Sequence, residues 1–306
     1  MLIILESILP IFLLVLLGVG LKRSPLIPES FWSGLEIFGY YVLFPALLFE
    51  TLATTDFSQI QGAGVSLVSL LAVLVISAVT LGLWPVLKAA GMQGPAFTSV
   101  FQTATRWNGF MALAMAEKLT GSIGLSVIAV VMATIIIPIN LMNVGVMIWF
   151  SGQGRDMKTF VKRIISNPII LGAVLGVAVN LAGVPIYDPF MVTVELVART
   201  SLPLGLLTVG AGLKIADALR PAPSVFLSAG LKLILFPLVS VGLSLLFGLT
   251  GETLAMVTLA AAVPTAMNGY LLAKQMGGDA DLYAAAATVQ TMLAFVTVPI
   301  VLALLA

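Results

Sequence analysis

Ten apolar stretches fill this chain, each close to the length of a membrane-crossing helix, and most charged residues fall between them. They lie at approximately 3–21, 31–52, 64–88, 95–117, 121–150, 167–184, 188–213, 222–248, 252–275 and 281–305. A helix needs about 20 apolar residues to cross the hydrocarbon core. In lipid no water satisfies the backbone, so a spanning chain must form helices or a closed barrel. These runs are continuous, without strand-like alternation, and they predict helices. The composition agrees, with 60% hydrophobic residues, 9% charged residues and a mean hydropathy of +1.16. A soluble domain carries about 25% charged residues. The expected fold is an all-α membrane protein. The opening Met1–Glu6 lacks a basic region and a cleavage site, so residues 3–21 read as the first span.

Charge sets the expected orientation. With ten spans, one side of the membrane receives Lys22, Arg23, Lys88, Arg155, Lys158, Lys162, Arg163, Lys214, Arg220 and Lys274. The other side receives only Lys118. The positive-inside rule makes the first side cytoplasmic and places both termini outside. The protein is therefore expected in the cytoplasmic membrane, with the lipid bilayer as its surroundings.

Two polar hexapeptides interrupt the apolar pattern. Thr105-Arg106-Trp107-Asn108-Gly109-Phe110 lies in span 4, and Thr265-Ala266-Met267-Asn268-Gly269-Tyr270 lies 160 positions later in span 9. Met132 and Met292 keep the same offset, and Pro138 and Pro299 keep it to within one residue. Such matched interruptions mark internal duplication. Each half would contain five spans, an odd number, so the halves must insert with opposite topology. The expected plan is a 5+5 inverted repeat with broken, crossing helices 4 and 9. Residues 1–150 form the first repeat, 151–166 a basic cytoplasmic loop, and 167–306 the second repeat.

Asn and Gly disfavour helix interiors, and Pro264 removes a further backbone donor. Broken backbone is tolerated at membrane depth only where it faces protein or a water-filled cavity. The breaks are therefore expected to line a central cavity. Each break also creates a half-helix N-terminus with free N–H groups and partial positive charge, which suits an anion. The candidate substrate-binding residues are Asn108, Asn268, Arg106, Gly109, Gly269, Thr105 and Thr265. The competing reading is that the Asn-Gly pairs merely kink helices or join them.

Charged groups inside the spans extend this set. Arg106 lies about 18 Å into span 4 at 1.5 Å per residue. It either meets a substrate carboxylate or forms a structural ion pair. Lys232, at mid-depth in span 8, either supplies a fixed positive charge where other carriers bind a cation or pairs with a carboxylate. Glu195 and Arg199 stand one turn apart in the order that favours an intrahelical pair. Glu36 and Glu50 lie near the ends of span 2, within reach of water. Gln290, Asn140, Asn143 and Gln102 are polar candidates for a site lining or for bonds between helices. Lys232, Glu195, Gln290 and Asn140 are the candidates for charge or coupling. Gly210-Ala211-Gly212 reads as close helix packing.

A net charge of +1 predicts no nucleic-acid partner. The chain has no Cys and no His, which removes thiol chemistry and the commonest general base and metal ligand. No cofactor and no metal are expected, and neither is enzyme activity. Facing half-helices also occur in channels, so an anion channel is the alternative to a carrier. A membrane-embedded enzyme is the third class.

The chain resembles the auxin efflux carrier family, in particular its bacterial branch, whose members include carriers for malonate or malate. The resemblance covers essentially the full length. It rests on the ten spans, the connection between spans 5 and 6, the Asn-bearing breaks, Pro45-Ala46-Leu47-Leu48-Phe49, and Leu206-Leu207-Thr208-Val209 with Lys214. Bile-acid sodium symporters share the plan. The resemblance implies a scaffold of spans 1, 2, 6 and 7 that forms a homodimer, and a mobile unit of spans 3–5 and 8–10. The family's crossover residues correspond to Asn108 and Asn268. Plant members have Pro beside these Asn residues, whereas here the first break has no Pro. The sodium symporters use an acidic residue on span 9, and this chain has none between Glu252 and Asp279. The expected function is secondary transport of a small organic anion, a mono- or dicarboxylate, by alternating access.

Overall fold

The computed structural model describes residues 2–56, 61–151, 168–215 and 222–305. All regular structure among the described residues is helical. The helices are α1 (Leu2–Arg23), α2 (Glu29–Thr54), α3 (Gly62–Ala89), α4 (Gly94–Thr105), α5 (Gly109–Ser151), α6 (Pro168–Ala182), α7 (Asp188–Gly212), α8 (Pro223–Leu246), α9 (Gly251–Ala262), α10 (Asn268–Met276) and α11 (Ala280–Ala303). Six segments are long and apolar enough to cross a membrane: α2, α3, the stretch Gly94–Phe150, α7, α8 and α11. Pro168–Ala182 and Gly251–Ala262 are shorter apolar helices. Most of the predicted basic loop 151–166 lies outside the described residues, as does Arg220.

The chain reverses within α5. Gly121 adopts φ 64°, ψ −139°, where a side chain would be strained but glycine is not. The two arms then run alongside each other. A Cβ on Gly109 would lie 3.1 Å from Met132 Cε, and Asn143 Nδ2 donates to Thr105 Oγ1 at 3.2 Å. Spans 4 and 5 of the sequence reading therefore meet as a helical hairpin, with α4 and the first arm of α5 forming the broken partner.

Two helices widen locally into a π-turn, Gly39–Leu43 in α2 and Leu231–Leu235 in α8. Each immediately precedes a Phe-Pro pair, Phe44-Pro45 and Phe236-Pro237. A proline ring inside a helix clashes with the carbonyl four residues back, and the wider turn gives that carbonyl room. Ser201 on α7 donates to the Leu43 carbonyl at 2.7 Å.

Small residues bring α1, α2, α6 and α7 into backbone contact. A Cβ on Gly18 would collide with the Leu207 carbonyl, and one on Gly210 with the Val15 carbonyl. These positions clamp α1 to α7. Gly172 and Gly176 on α6 do the same against the Pro45 and Phe49 carbonyls, at 2.6 and 2.8 Å from an added Cβ. With little hydrophobic drive between helices in lipid, such close approach supplies much of the cohesion. Asn180 at the end of α6 donates to the Ala53 and Thr55 carbonyls at 2.9 and 2.8 Å, tying off the end of α2. Beside this group, α3 packs on α5 and α8, α9 on α5 and α8, and α11 on α4.

Candidate functional site: the paired helix breaks

Both interruptions predicted from the sequence are present, and they touch. Helix α4 stops at Thr105, Arg106 is extended, residues 106–108 have no regular structure, and α5 starts at Gly109. Helix α9 stops at Ala262, Val263 is extended, and α10 starts at Asn268. The Asn108 backbone N–H donates to the Pro264 carbonyl at 2.8 Å. Segments 156 residues apart thus meet through their main chains at the point where both lose helical structure.

Gln290 on α11 braces this junction. Its Oε1 accepts from the Thr265 N–H at 3.0 Å, and its Nε2 donates to the Thr103 carbonyl at 3.1 Å. One carboxamide therefore satisfies a free donor at the second break and an acceptor in the last turn before the first. Tyr283, also on α11, packs on the second break: its hydroxyl donates to the Ala266 carbonyl at 2.5 Å and lies 3.2 Å from Thr265 Oγ1. A Cβ at Gly269 would collide with that hydroxyl, so the second Asn-Gly pair needs its glycine for space. Tyr283 was not singled out in the sequence. Its signal was a lone aromatic residue beside the alanine run Ala284–Ala287.

At the first break, Thr105 is buried, and its hydroxyl donates to the Phe101 carbonyl at 2.9 Å. Asn108 is 2% exposed. Its Oδ1 accepts from the Met111 N–H at 3.2 Å, capping α5, and its Nδ2 has no partner among the described residues. Arg106 is 8% exposed, and its Nε donates to Gln102 Oε1 at 3.2 Å. The ion pairs among the described residues are Lys22–Glu29 and Arg199–Glu195, so no described carboxylate neutralises Arg106. Gln102 Nε2 is likewise buried without a partner. The Asn268 backbone begins α10, and its side chain lies outside the described residues.

The other candidates are dispersed. Lys232 is fully buried on α8, with Nζ 2.8 Å from the Ala261 carbonyl and 4.4 Å from the Phe236 ring centroid. It caps the C-terminal end of α9, where helix carbonyls lack donors and cations are favoured. No described carboxylate pairs with it. Asn140 donates to the Ile136 carbonyl on its own helix at 2.7 Å and does not join the breaks. Glu195 pairs with Arg199 on the wall of a cavity elsewhere.

A cavity of about 640 Å³ lies between α1, α2, α5 and α7, lined in part by Leu14, Glu50, Ala114, Glu117, Lys118 and Arg199. No residue of either hexapeptide lines it. An aromatic pair stands between helices that line this cavity. Phe110, one turn before Ala114, stacks on Phe44 with centroids 3.7 Å apart. Its ring presses against Gly205 of α7, where no Cβ would fit. Tyr270, the counterpart of Phe110 in the second hexapeptide, lies under Lys214, with Nζ 3.9 Å from the ring centroid. Met267 packs on Gly212 of α7, 3.3 Å from an added Cβ. The first break thus bears on α7 through Phe110, and the second through Met267, with Tyr270 against Lys214 just past the end of that helix. The sequence held both aromatics in view within the hexapeptides, but nothing local indicated what they would touch.

Comparison with known proteins finds similarity to membrane transport proteins. Residues 153–302 match the family described as membrane transport protein. An uncharacterized transporter of Methanothermobacter thermautotrophicus is 25% identical over 296 residues, covering 96% of each chain.

Proposed function

We propose that this chain, similar to membrane transport proteins over residues 153–302 and to a transporter over nearly its full length, is a secondary carrier for a small organic anion. The reading takes the ten apolar stretches as spans, arranged as a 5+5 inverted repeat with residues 1–150 and 167–306 as its halves. Spans 1, 2, 6 and 7 form a dimerising scaffold. Spans 3–5 and 8–10 carry the crossing breaks between the two faces of the cytoplasmic membrane. Substrate binds at the breaks, through Asn108, Asn268 and the backbone around Gly109 and Gly269, with Thr105 and Thr265 beside them and Arg106 supplying positive charge. No chemical step is involved.

One observation carries the proposal: two half-helix ends joined at Asn108 and Pro264, beside a buried guanidinium with no described acid and a buried carboxamide with no acceptor. Irregular backbone at the meeting of two halves is where carriers bind their cargo. Buried donors without acceptors are costly in an empty site and are filled when a carboxylate arrives. The contacts of Phe110 and Met267 with α7 are the points at which the breaks would move against the scaffold.

The test is uptake of radiolabelled mono- and dicarboxylates into proteoliposomes. A carrier gives saturable flux and counterflow, and a channel gives neither. Asn108→Ala is expected to lower flux at least tenfold without loss of folded protein. Unchanged flux in both Asn108→Ala and Asn268→Ala would refute the proposal.

A further inference from the structure

We propose that the substrate's negative group is held at the first break, by Gln102 and Arg106 acting with Asn108, and that Thr265 and Ala266 of the second break are structural, leaving Asn268 to the rest of the substrate. This rests on the organic-anion reading above and adds to it the place where the charge sits.

The two carboxamides at the first break are oriented by their neighbours. A guanidinium can only donate hydrogen bonds. The Gln102 atom facing Arg106 Nε is therefore the oxygen, and Nε2 is left without an acceptor. A backbone N–H likewise only donates, so the Asn108 atom on Met111 is the oxygen, and Nδ2 is left over. Both side chains are buried, at 0% and 2% exposed. Two amide donors and the terminal nitrogens of a guanidinium thus lack an anionic partner at one helix end. Gln102, in the last turn of α4, stands four residues before Arg106, which follows the end of that helix, and is in hydrogen-bond contact with it.

The second break is different. Its Thr265 N–H is taken by Gln290, its Thr265 hydroxyl by Tyr283, and its Ala266 carbonyl by Tyr283. The positions equivalent to Gln102 and Arg106 are Ala262 and Ala266, so this half has neither the amide nor the charge. The repeat is symmetric in outline and asymmetric in chemistry. A carboxylate suits the first break, because its two oxygens accept several hydrogen bonds and its charge balances the guanidinium. A neutral hydroxyl would leave that charge uncompensated.

The experiment is calorimetric titration of purified protein with acetate, malonate and benzoate, with thermal unfolding as the check on folding. For whichever probe binds the wild type, Gln102→Leu and Arg106→Gln are expected to raise Kd at least tenfold, and Thr265→Val and Tyr283→Phe less than threefold. A second variant guards against simple misfolding. Gln102→Glu keeps the shape and places a carboxylate beside Arg106, so it should raise the Tm of the ligand-free protein and abolish carboxylate binding. Wild-type Kd values in Gln102→Leu and Arg106→Gln, or in Gln102→Glu, would overturn the assignment while leaving the anion reading intact. So would an equal loss of affinity in the second-break variants. Absence of binding by every carboxylate to well-folded wild type would instead overturn the organic-anion reading, and this assignment with it.

Discussion

At the scale of single residues, the junction depends on groups that satisfy main-chain atoms where helices fail. Gln290 has two such partners, the Thr265 N–H and the Thr103 carbonyl. A buried backbone group left unmatched costs about 1–3 kcal/mol. Gln290→Leu is therefore expected to lower unfolding stability by about 2–5 kcal/mol, read as a fall in Tm in detergent. Gln290→Glu keeps the acceptor but loses the donor, and should fall between the two. The sequence exposed Gln290 and Gln102 as polar residues in apolar surroundings, but it could not tell a brace from a binding group. That distinction is one of partners: Gln290 reaches across to α4, to Ser228 on α8 and to the second break, whereas the Gln102 side chain meets only Arg106 among the described residues and its N–H₂ has no acceptor there. Lys232 was ambiguous for the same reason. Its acceptor, the Ala261 carbonyl, is 29 residues away in the chain.

At the scale of helices, the hexapeptides located both breaks, because Asn-Gly inside an apolar run conflicts with helix propensity wherever it occurs. The aromatic closures were not legible, since they depend on a glycine notch in α7 that receives a ring from another helix. The notch at Gly205 makes a prediction. The natural chain has no cysteine, so single introduced cysteines report access directly. Ala114→Cys, on the cavity wall, should react readily with a membrane-impermeant maleimide added from the cavity side. Thr105→Cys, behind Phe110, should react slowly. Adding Phe110→Ala to Thr105→Cys should speed its labelling from that side at least tenfold, with Ala114→Cys unchanged. Equal rates with and without Phe110 would show that the stacked pair does not close the path. The π-turns in α2 and α8 also escaped the sequence reading, although each is followed by the Phe-Pro pair that explains it.

At the scale of the whole molecule, the ten apolar stretches predicted where helices form, because lipid leaves the backbone few alternatives. Orientation follows from charge and is tested by the same cysteine-free background. Lys118→Cys should label from outside in intact cells, and Lys88→Cys only after permeabilisation. The reverse pattern would invert the topology. The two aromatic contacts described above fall close together: Phe110 bears on α7 at Gly205, and Tyr270 lies under Lys214, nine residues further along and just past the last residue of α7. The C-terminal end of α7 therefore works as a shared fulcrum, and a change at either contact tilts a balance between two resting positions. A substitution that loosens one aromatic should leave the cargo recognised and shift which face of the membrane the empty molecule prefers, so that paired substitutions at both contacts restore the original preference.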